Sequence, residues 1–91
     1  MMPSSKQTIE DPVAIGLHAL AWTVGEQARA DRMLALTGLS GEDLRVRATE
    51  PAVLAAVLGF LEAYEPDLIA CAEALAVTPQ TLVDARAMLE S

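Results

Sequence analysis

An uninterrupted apolar run from Pro51 to Leu61 constrains the fold more than any other part of this sequence. Glu50 and Pro51 mark a helix start, because the fixed φ of proline suits the first helical position and its missing N–H is not needed there. A helix that is apolar on every face must be surrounded by protein or by lipid. The run is too short for lipid, since a spanning helix needs about 20 apolar residues. The sequence therefore predicts a buried central helix with other helices packed around it.

Length and composition favour one small all-α domain. The chain has 91 residues, of which 53% are hydrophobic and only 3% aromatic. The recurring alanine and leucine favour helices, whereas strands prefer β-branched and aromatic residues. We expect a compact bundle of about six short helices in residues 11–90. Residues 1–10 have too little apolar surface to offset the entropy of ordering them, which predicts a flexible tail.

Proline, hydroxyl and acidic residues predict where the helices start. Aspartate or threonine before proline suits an N-cap, and glycine suits a helix end. Ser40 with Asp43 three residues later is close to a capping box. The predicted starts are Asp11-Pro12, about Glu26, Ser40, Glu50-Pro51, Glu65-Pro66 and Thr78-Pro79, and the predicted ends are Gly25, Thr37-Gly38, Thr49, Tyr64 and Leu75.

Apolar spacing predicts which side chains of the first two helices are buried. On the second helix, Met33, Leu34 and Leu36 are expected to face inward, while Arg29 and Arg32 are expected to be solvated. Two apolar rows on the first helix indicate contacts on more than one side. They are Val13, Leu17, Leu20 and Val24 in one row, and Ile15, His18 and Trp22 in the other.

The two halves of the chain resemble each other at an offset of 38 residues, which separates Trp22 from Phe60. At that offset Leu39-Ser40 matches Val77-Thr78, and a leucine follows four residues after each hydroxyl cap. This pattern suggests two duplicated three-helix units. The alternative is that caps of this kind recur in any alanine-rich helical chain.

No group of residues has the spacing of a known catalytic, cofactor or metal site. His18 is the only histidine and is predicted to be a partly buried, hydrogen-bonded side chain. Cys71 is the only cysteine, so it excludes an internal disulfide, and its alanine neighbours indicate core packing. Phosphate-binding and dinucleotide-binding motifs are absent from the sequence. The sequence predicts neither an enzyme nor a cofactor, metal or small-molecule substrate.

The charge of the chain argues against nucleic acid and membranes as partners. Lys and Arg total 6 and Asp and Glu total 13, so the net charge is −7. Such a chain repels phosphate backbones and anionic lipids. The absence of an apolar run behind Lys6 indicates a cytoplasmic protein without a secretory signal. The alternative is an acidic helix-turn-helix-like module that binds DNA or is associated with transcription. It would lie in residues 71–86, or in residues 39–47, which carry more positive charge.

A pattern of caps and apolar positions runs through residues 14–22, 36–39, 43–45 and 50–61. This pattern resembles a small all-helical family of unknown function from alphaproteobacteria. The resemblance covers nearly all of residues 11–89 and implies a cytosolic helical domain without an assigned activity. In that family the turn after the fifth helix often has glycine where this chain has Ala76.

These observations predict a non-enzymatic helical protein that binds another protein or a second copy of itself. A small chain with two apolar rows on one helix does not hide both of them, and an uncovered apolar patch usually marks a partner site. The candidate interface residues are Trp22, His18, Arg29 and Arg32. Trp22 is the candidate anchor, because tryptophan is enriched among interface hot spots. Burial of Trp22 as an ordinary core residue is the alternative.

Overall fold

The computed structural model describes residues 11–91, so the tail predicted for residues 1–10 lies outside the described residues. The described residues form six helices and no strand, which confirms the all-α fold. The helices are α1 (Pro12–Val24), α2 (Gln27–Thr37), α3 (Gly41–Val46), α4 (Pro51–Glu62), α5 (Glu65–Leu75) and α6 (Pro79–Glu90).

Side-chain hydrogen bonds confirm the predicted N-caps Asp11, Ser40 and Thr78, whereas α2, α4 and α5 begin at the predicted places without a side-chain cap. The Asp11 carboxylate accepts a hydrogen bond from the Val13 amide at 3.0 Å. At α3 both halves of a capping box are present: the Asp43 amide donates to the Ser40 hydroxyl at 3.0 Å, and the Ser40 amide donates to the Asp43 carboxylate at 2.9 Å. These bonds satisfy amide groups that have no partner within the helix. The hydrogen bond from the Ser40 amide is the main cause that holds the pKa of the Asp43 carboxyl below its usual value.

Helix α4 lies at the centre of the bundle, as the sequence predicts. It packs against α1, α2, α5 and α6. Its buried side chains are Val53, Leu54, Ala55, Val57, Leu58, Phe60 and Leu61. The expectation that every face of this helix is covered is wrong, however, because Ala52 and Ala63 are exposed and Ala56 and Gly59 are half-buried. Side chains this small leave little apolar area in water when one face stays open.

Helix α1 contacts α4 through small residues that the predicted rows do not include. Its buried residues are Ile15, Gly16, Ala19, Leu20 and Thr23. A Cβ on Gly16 would lie only 3.0 Å from the Leu54 Cβ, so glycine permits the close approach of the two helices. The buried Thr23 hydroxyl donates a hydrogen bond to the Ala19 carbonyl at 2.8 Å, which removes the cost of burying it.

Helix α2 covers α4 with one narrow stripe. Met33 is fully buried and Leu34 is half-buried, as predicted. The prediction for Leu36 is wrong, because its side chain is 73% exposed. Leu36 lies only about 60° around the helix from Met33, but on the side away from Leu34 and Thr37, toward which the buried stripe extends.

The predicted duplication agrees with the first two helices of each half. Helices α1 and α4 have 13 and 12 residues, and α2 and α5 have 11 each. The third pair differs, because α3 has six residues and no buried side chain, whereas α6 has twelve and buries Leu82, Ala85 and Leu89. The duplication therefore stays a prediction.

Helices α5 and α6 meet at 98° across a short turn. Ala76 ends α5 in the left-handed region at φ 60°. Within residues 11–91, none of the six helices is by itself long and apolar enough to cross a membrane, and the bent pair α5 and α6 meets the length and composition criteria only when taken together.

Candidate functional site

The outer side of α1 carries a mostly apolar surface between α3 and α5. We call it the α1 face and define it by Leu17, His18, Ala21, Trp22 and Val24. His18, Ala21 and Val24 are exposed, and Leu17 and Trp22 are half-buried. This side of α1 remains accessible because the buried stripe of the helix lies on the opposite side, against α4 and α6.

Two grooves flank the α1 face and meet at Ala21. The groove on the α3 side has a volume of about 390 Å³ and is lined by Leu17, Leu20, Ala21, Val24, Gly41, Leu44 and Arg45. The groove on the α5 side has a volume of about 470 Å³ and is lined by His18, Ala21, Trp22, Ala74 and Leu75. Neither lining contains a carboxylate, although the chain has 13 acidic residues.

Trp22 is held in place by Arg29, which corrects the prediction that Arg29 is solvated. The Arg29 guanidinium lies 3.5 Å from the centre of the Trp22 ring, and its side chain is only 14% exposed. It donates hydrogen bonds to the Trp22 carbonyl and, at 3.2 Å, to the Thr23 carbonyl. A cation at these carbonyls interacts favourably with the negative end of the helix dipole. Arg29 therefore fixes both the end of α1 and the orientation of the indole.

His18 is exposed, so the prediction of a partly buried histidine is wrong. The buried stripe of α1 runs through Ile15, Ala19 and Thr23 and passes His18 on the far side. The imidazole instead lines the same groove as Trp22. These two predicted interface residues thus share one surface.

Arg32 lies at a different place from the other predicted interface residues. It forms an ion pair with Asp67 of α5 at 2.8 Å. Its guanidinium lies 5.5 Å from the centre of the Phe60 ring and 5.6 Å from that of Tyr64. Of the four predicted residues, the structure brings Trp22, His18 and Arg29 together at α1, whereas Arg32 joins α2 to α5.

A third groove, also apolar, lies between α2 and α4, where the sequence predicts only buried surface. Its volume is about 440 Å³, and its lining residues are Leu36, Thr37, Ala56, Gly59, Phe60 and Ala63. Sequence reasoning missed it because alanine and glycine on α4 were expected to pack against other helices. The signal available in the sequence is the spacing of small residues at positions 52, 56, 59 and 63.

The remaining chemistry of the described residues is that of a packed core. Cys71 is fully buried, and burial raises the pKa of its thiol to about 11, which suppresses the nucleophilic thiolate. Residues 11–91 contain no cluster of three or more histidine, cysteine or acidic side chains that could hold a metal ion.

Each of the five arginines in residues 11–91 forms an ion pair. The partners are Glu26 for Arg29, Asp67 for Arg32, Glu42 for Arg45, Asp43 and Glu50 for Arg47, and Glu62 and Glu90 for Arg86. Hydrogen bonds to Glu62 and Glu90 raise the pKa of Arg86. Each of these guanidinium groups therefore has a carboxylate partner within the molecule, and those of Arg45 and Arg47 are more than half exposed.

Comparison with known proteins identifies a family without an assigned role. A family model described as a protein of unknown function, DUF3572, matches residues 9–91. No curated protein and no solved structure matches the chain.

Proposed function

The chain belongs to the DUF3572 family, whose function is unknown, and from that premise we propose that it is a non-enzymatic helical module that binds a protein partner through the α1 face. The observation that carries the proposal is the pair of apolar grooves on either side of Ala21. A helix that crosses α1 at a small residue can approach closely and insert side chains on both sides of it. The proposal includes the cytoplasmic location that the sequence predicts and the alphaproteobacterial origin that the family resemblance implies.

Trp22 supports this role as an anchor residue. Its ring is half-buried and lines the groove on the α5 side, so part of it is available to a partner. The contact with Arg29 limits its movement before binding. A side chain that is already ordered loses less entropy on binding, which favours affinity.

Photo-cross-linking from single positions tests the proposal. Benzoylphenylalanine replaces Ala21 on the α1 face or, as a matched control, the exposed Ala87 of α6. We expect irradiation of native cells to give a discrete adduct from position 21 and none from position 87. We further expect Ala21→Glu to abolish binding of the captured protein and Ala87→Glu to preserve it. Equal adducts from both positions, or none from position 21, would contradict the proposal.

Light scattering distinguishes the two kinds of partner. A purified protein with twice the mass of one chain identifies the partner as a second copy. A monomer that still gives the adduct from position 21 identifies a different protein.

DNA binding is the second candidate, and one observation favours it. Helices α5 and α6 meet at 98°, within the range of about 90–120° typical of helix-turn-helix units. We rank it lower because α6 offers the single cation Arg86, which is already paired with two glutamates.

A further inference from the structure

The carboxylates of the described residues outnumber the cations that could pair with them. Without Lys6 and Glu10, which cancel each other, the net charge of residues 11–91 is also −7. The ion pairs within this range engage all five of its arginines and leave five exposed carboxylates without a cationic partner. These carboxylates are Asp11, Asp31, Glu65, Glu73 and Asp84.

Two of these five carboxylates lie at the edges of the α1 face. Asp11 caps the start of α1 and precedes His18 by about two helical turns, so both side chains lie on the same side of the helix. Glu73 directly precedes Ala74, which lines the groove on the α5 side. The α1 face therefore has an unpaired negative charge at its start and another beside α5.

The other end of α1 also presents a carboxylate. Glu26 lies just beyond the end of the helix, and its side chain is 64% exposed, whereas that of its partner Arg29 is only 14% exposed. The carboxylate of this pair is thus the charge that an approaching molecule meets. On the α3 side, Arg45 and Glu42 are both exposed and pair with each other, so that edge is close to neutral.

The α1 face thus combines an apolar centre with an edge that carries an excess of negative charge. Neither groove is lined by a carboxylate, and both are lined mostly by apolar side chains. Interfaces commonly bury an apolar core within a polar rim. Opposite charges at the rim speed association and favour the correct partner. A matching surface therefore has apolar side chains at its centre and cations around them.

A second copy of the chain does not match this surface. It carries the same net charge of −7, and each arginine in its residues 11–91 already has a carboxylate partner. Two α1 faces would also bring the same acidic edges together, and like charges across an interface disfavour the complex.

We propose that the partner of the α1 face is a different protein, whose contact segment carries apolar side chains at its centre and lysine or arginine around them. The apolar side chains enter the two grooves that meet at Ala21, and the cations lie beside Asp11, Glu26 and Glu73. This inference rests on the proposed function, because it names the class of partner for that same face.

Two synthetic helical peptides without tryptophan test the charge preference. Both carry leucine at i, i+3, i+4 and i+7, and they differ only in having lysine or glutamate at the other positions. Trp22 is the only tryptophan of the chain and lines the α1 face, so its emission reports binding there. We expect the lysine peptide to bind about 100-fold more tightly at low salt, with an affinity that falls as salt is added. Equal affinities of the two peptides would overturn the inference.

A matched pair of double variants tests whether the charges at the edge of the face decide. The first variant combines Asp11→Asn, which keeps an N-cap, with Glu73→Gln. The control combines Glu65→Gln, at the opposite end of α5 from Ala74, with Asp84→Asn on the exposed side of α6. Each removes two unpaired charges. We expect the lysine peptide to bind the first about 10-fold more weakly than the unmodified protein, and the control less than about threefold more weakly. Equal losses would mean that only the total charge matters, and would overturn the inference.

The cross-linking experiment, repeated in both double variants, separates this inference from the proposed function. An adduct from position 21 that contains a second copy, or whose yield is the same in both variants, would leave the function standing and overturn the partner class. A preference for the lysine peptide without any adduct from position 21 in native cells would remove the function and the partner together. If both hold, mass spectrometry of the adduct is expected to map the cross-link to an apolar segment flanked by lysine or arginine.

Discussion

At the scale of single residues, the distance from α1 to α4 depends on a missing side chain. An alanine at Gly16 gains about 1 kcal/mol of helix propensity, but its Cβ would lie 3.0 Å from the buried Leu54 Cβ. Overpacking of this kind costs about 1–3 kcal/mol, so Gly16→Ala is expected to lower the free energy of unfolding. At Gly59 a new Cβ meets only the flexible Arg86 side chain at 3.7 Å. Gly59→Ala is therefore expected to raise the free energy of unfolding. Urea denaturation followed by circular dichroism compares the two, and shifts of the same sign would contradict this account of Gly16.

Ala76 offers a stabilising substitution at the end of α5. Its amide donates to the Glu73 carbonyl, and the next amide, of Val77, donates to the Ala72 carbonyl, which together form a Schellman motif. A residue with a Cβ pays about 1–2 kcal/mol in this left-handed conformation. Ala76→Gly is therefore expected to raise the free energy of unfolding by about 0.5–1 kcal/mol, after the greater flexibility of glycine in the unfolded chain is subtracted. Ala74→Gly, within the same helix, should lower the free energy of unfolding. Parallel thermal melts of the two variants show whether the effect of glycine depends on the left-handed conformation at residue 76.

Some features of single residues were predictable from the sequence alone, and others were not. Caps such as Asp11 and Ser40 were predictable because an N-cap depends on residues two or three positions away. Gly16 and Thr23 were not, because their burial depends on which side of α1 meets α4. The burial predictions for His18 and Leu36 were wrong for the same reason. Helical spacing shows which residues share a stripe, but not which stripe another helix covers.

At the scale of helices, Arg29 joins α2 to the end of α1. Arg29→Met keeps an apolar side chain near Trp22 but removes the hydrogen bonds to the Trp22 and Thr23 carbonyls. Hydrogen bonds to charged groups contribute about 1.5–3 kcal/mol, so we expect a loss of about 2 kcal/mol in the free energy of unfolding. The matched control is Arg32→Met on the same helix, whose ion pair with Asp67 is partly exposed and contributes at most about 1 kcal/mol.

Trp22 provides the measurement for this comparison. It is the only tryptophan of the chain, so the unfolding transition and the native emission spectrum both report on the α1 face. Arg29→Met is expected to change the native emission of Trp22 and Arg32→Met to leave it unchanged. Similar losses of stability in the two variants would mean that Arg29 makes no special contribution to the joint between α1 and α2.

Only part of the candidate site was predictable from the sequence, because its residues come from three helices. The sequence indicated Trp22 and His18 because they share one row of the first helix. It did not indicate Leu44, Ala74 or Leu75, which belong to α3 and α5 and reach the α1 face only through the folded bundle. The groove between α2 and α4 was missed because alanine and glycine give the same pattern in a packed helix and in an open one.

At the scale of the whole molecule, the angle between two helices favours DNA binding, whereas the charge of the chain argues against it. The angle between α5 and α6 is that of a helix-turn-helix unit. The net charge is −7, and each of the five arginines of the described residues is paired with a carboxylate. Phosphate contacts from lysine and arginine supply nearly all non-specific affinity for DNA. The negative charge should therefore prevent DNA binding, even though the angle between α5 and α6 suits a helix-turn-helix unit.

We accordingly expect the protein not to bind duplex DNA even at low salt, as measured by fluorescence anisotropy of a labelled duplex. A double variant with Gln80→Lys and Asp84→Lys places two cations on the exposed side of α6 without touching a buried residue. If only charge is missing, this variant should acquire weak binding that falls steeply with salt. Salt-sensitive binding by the unmodified protein, lost on Arg45→Ala and Arg47→Ala, would contradict the expectation and favour the DNA-binding alternative. The absence of binding in both proteins would mean that the angle between α5 and α6 serves the packing of the bundle rather than a groove of DNA.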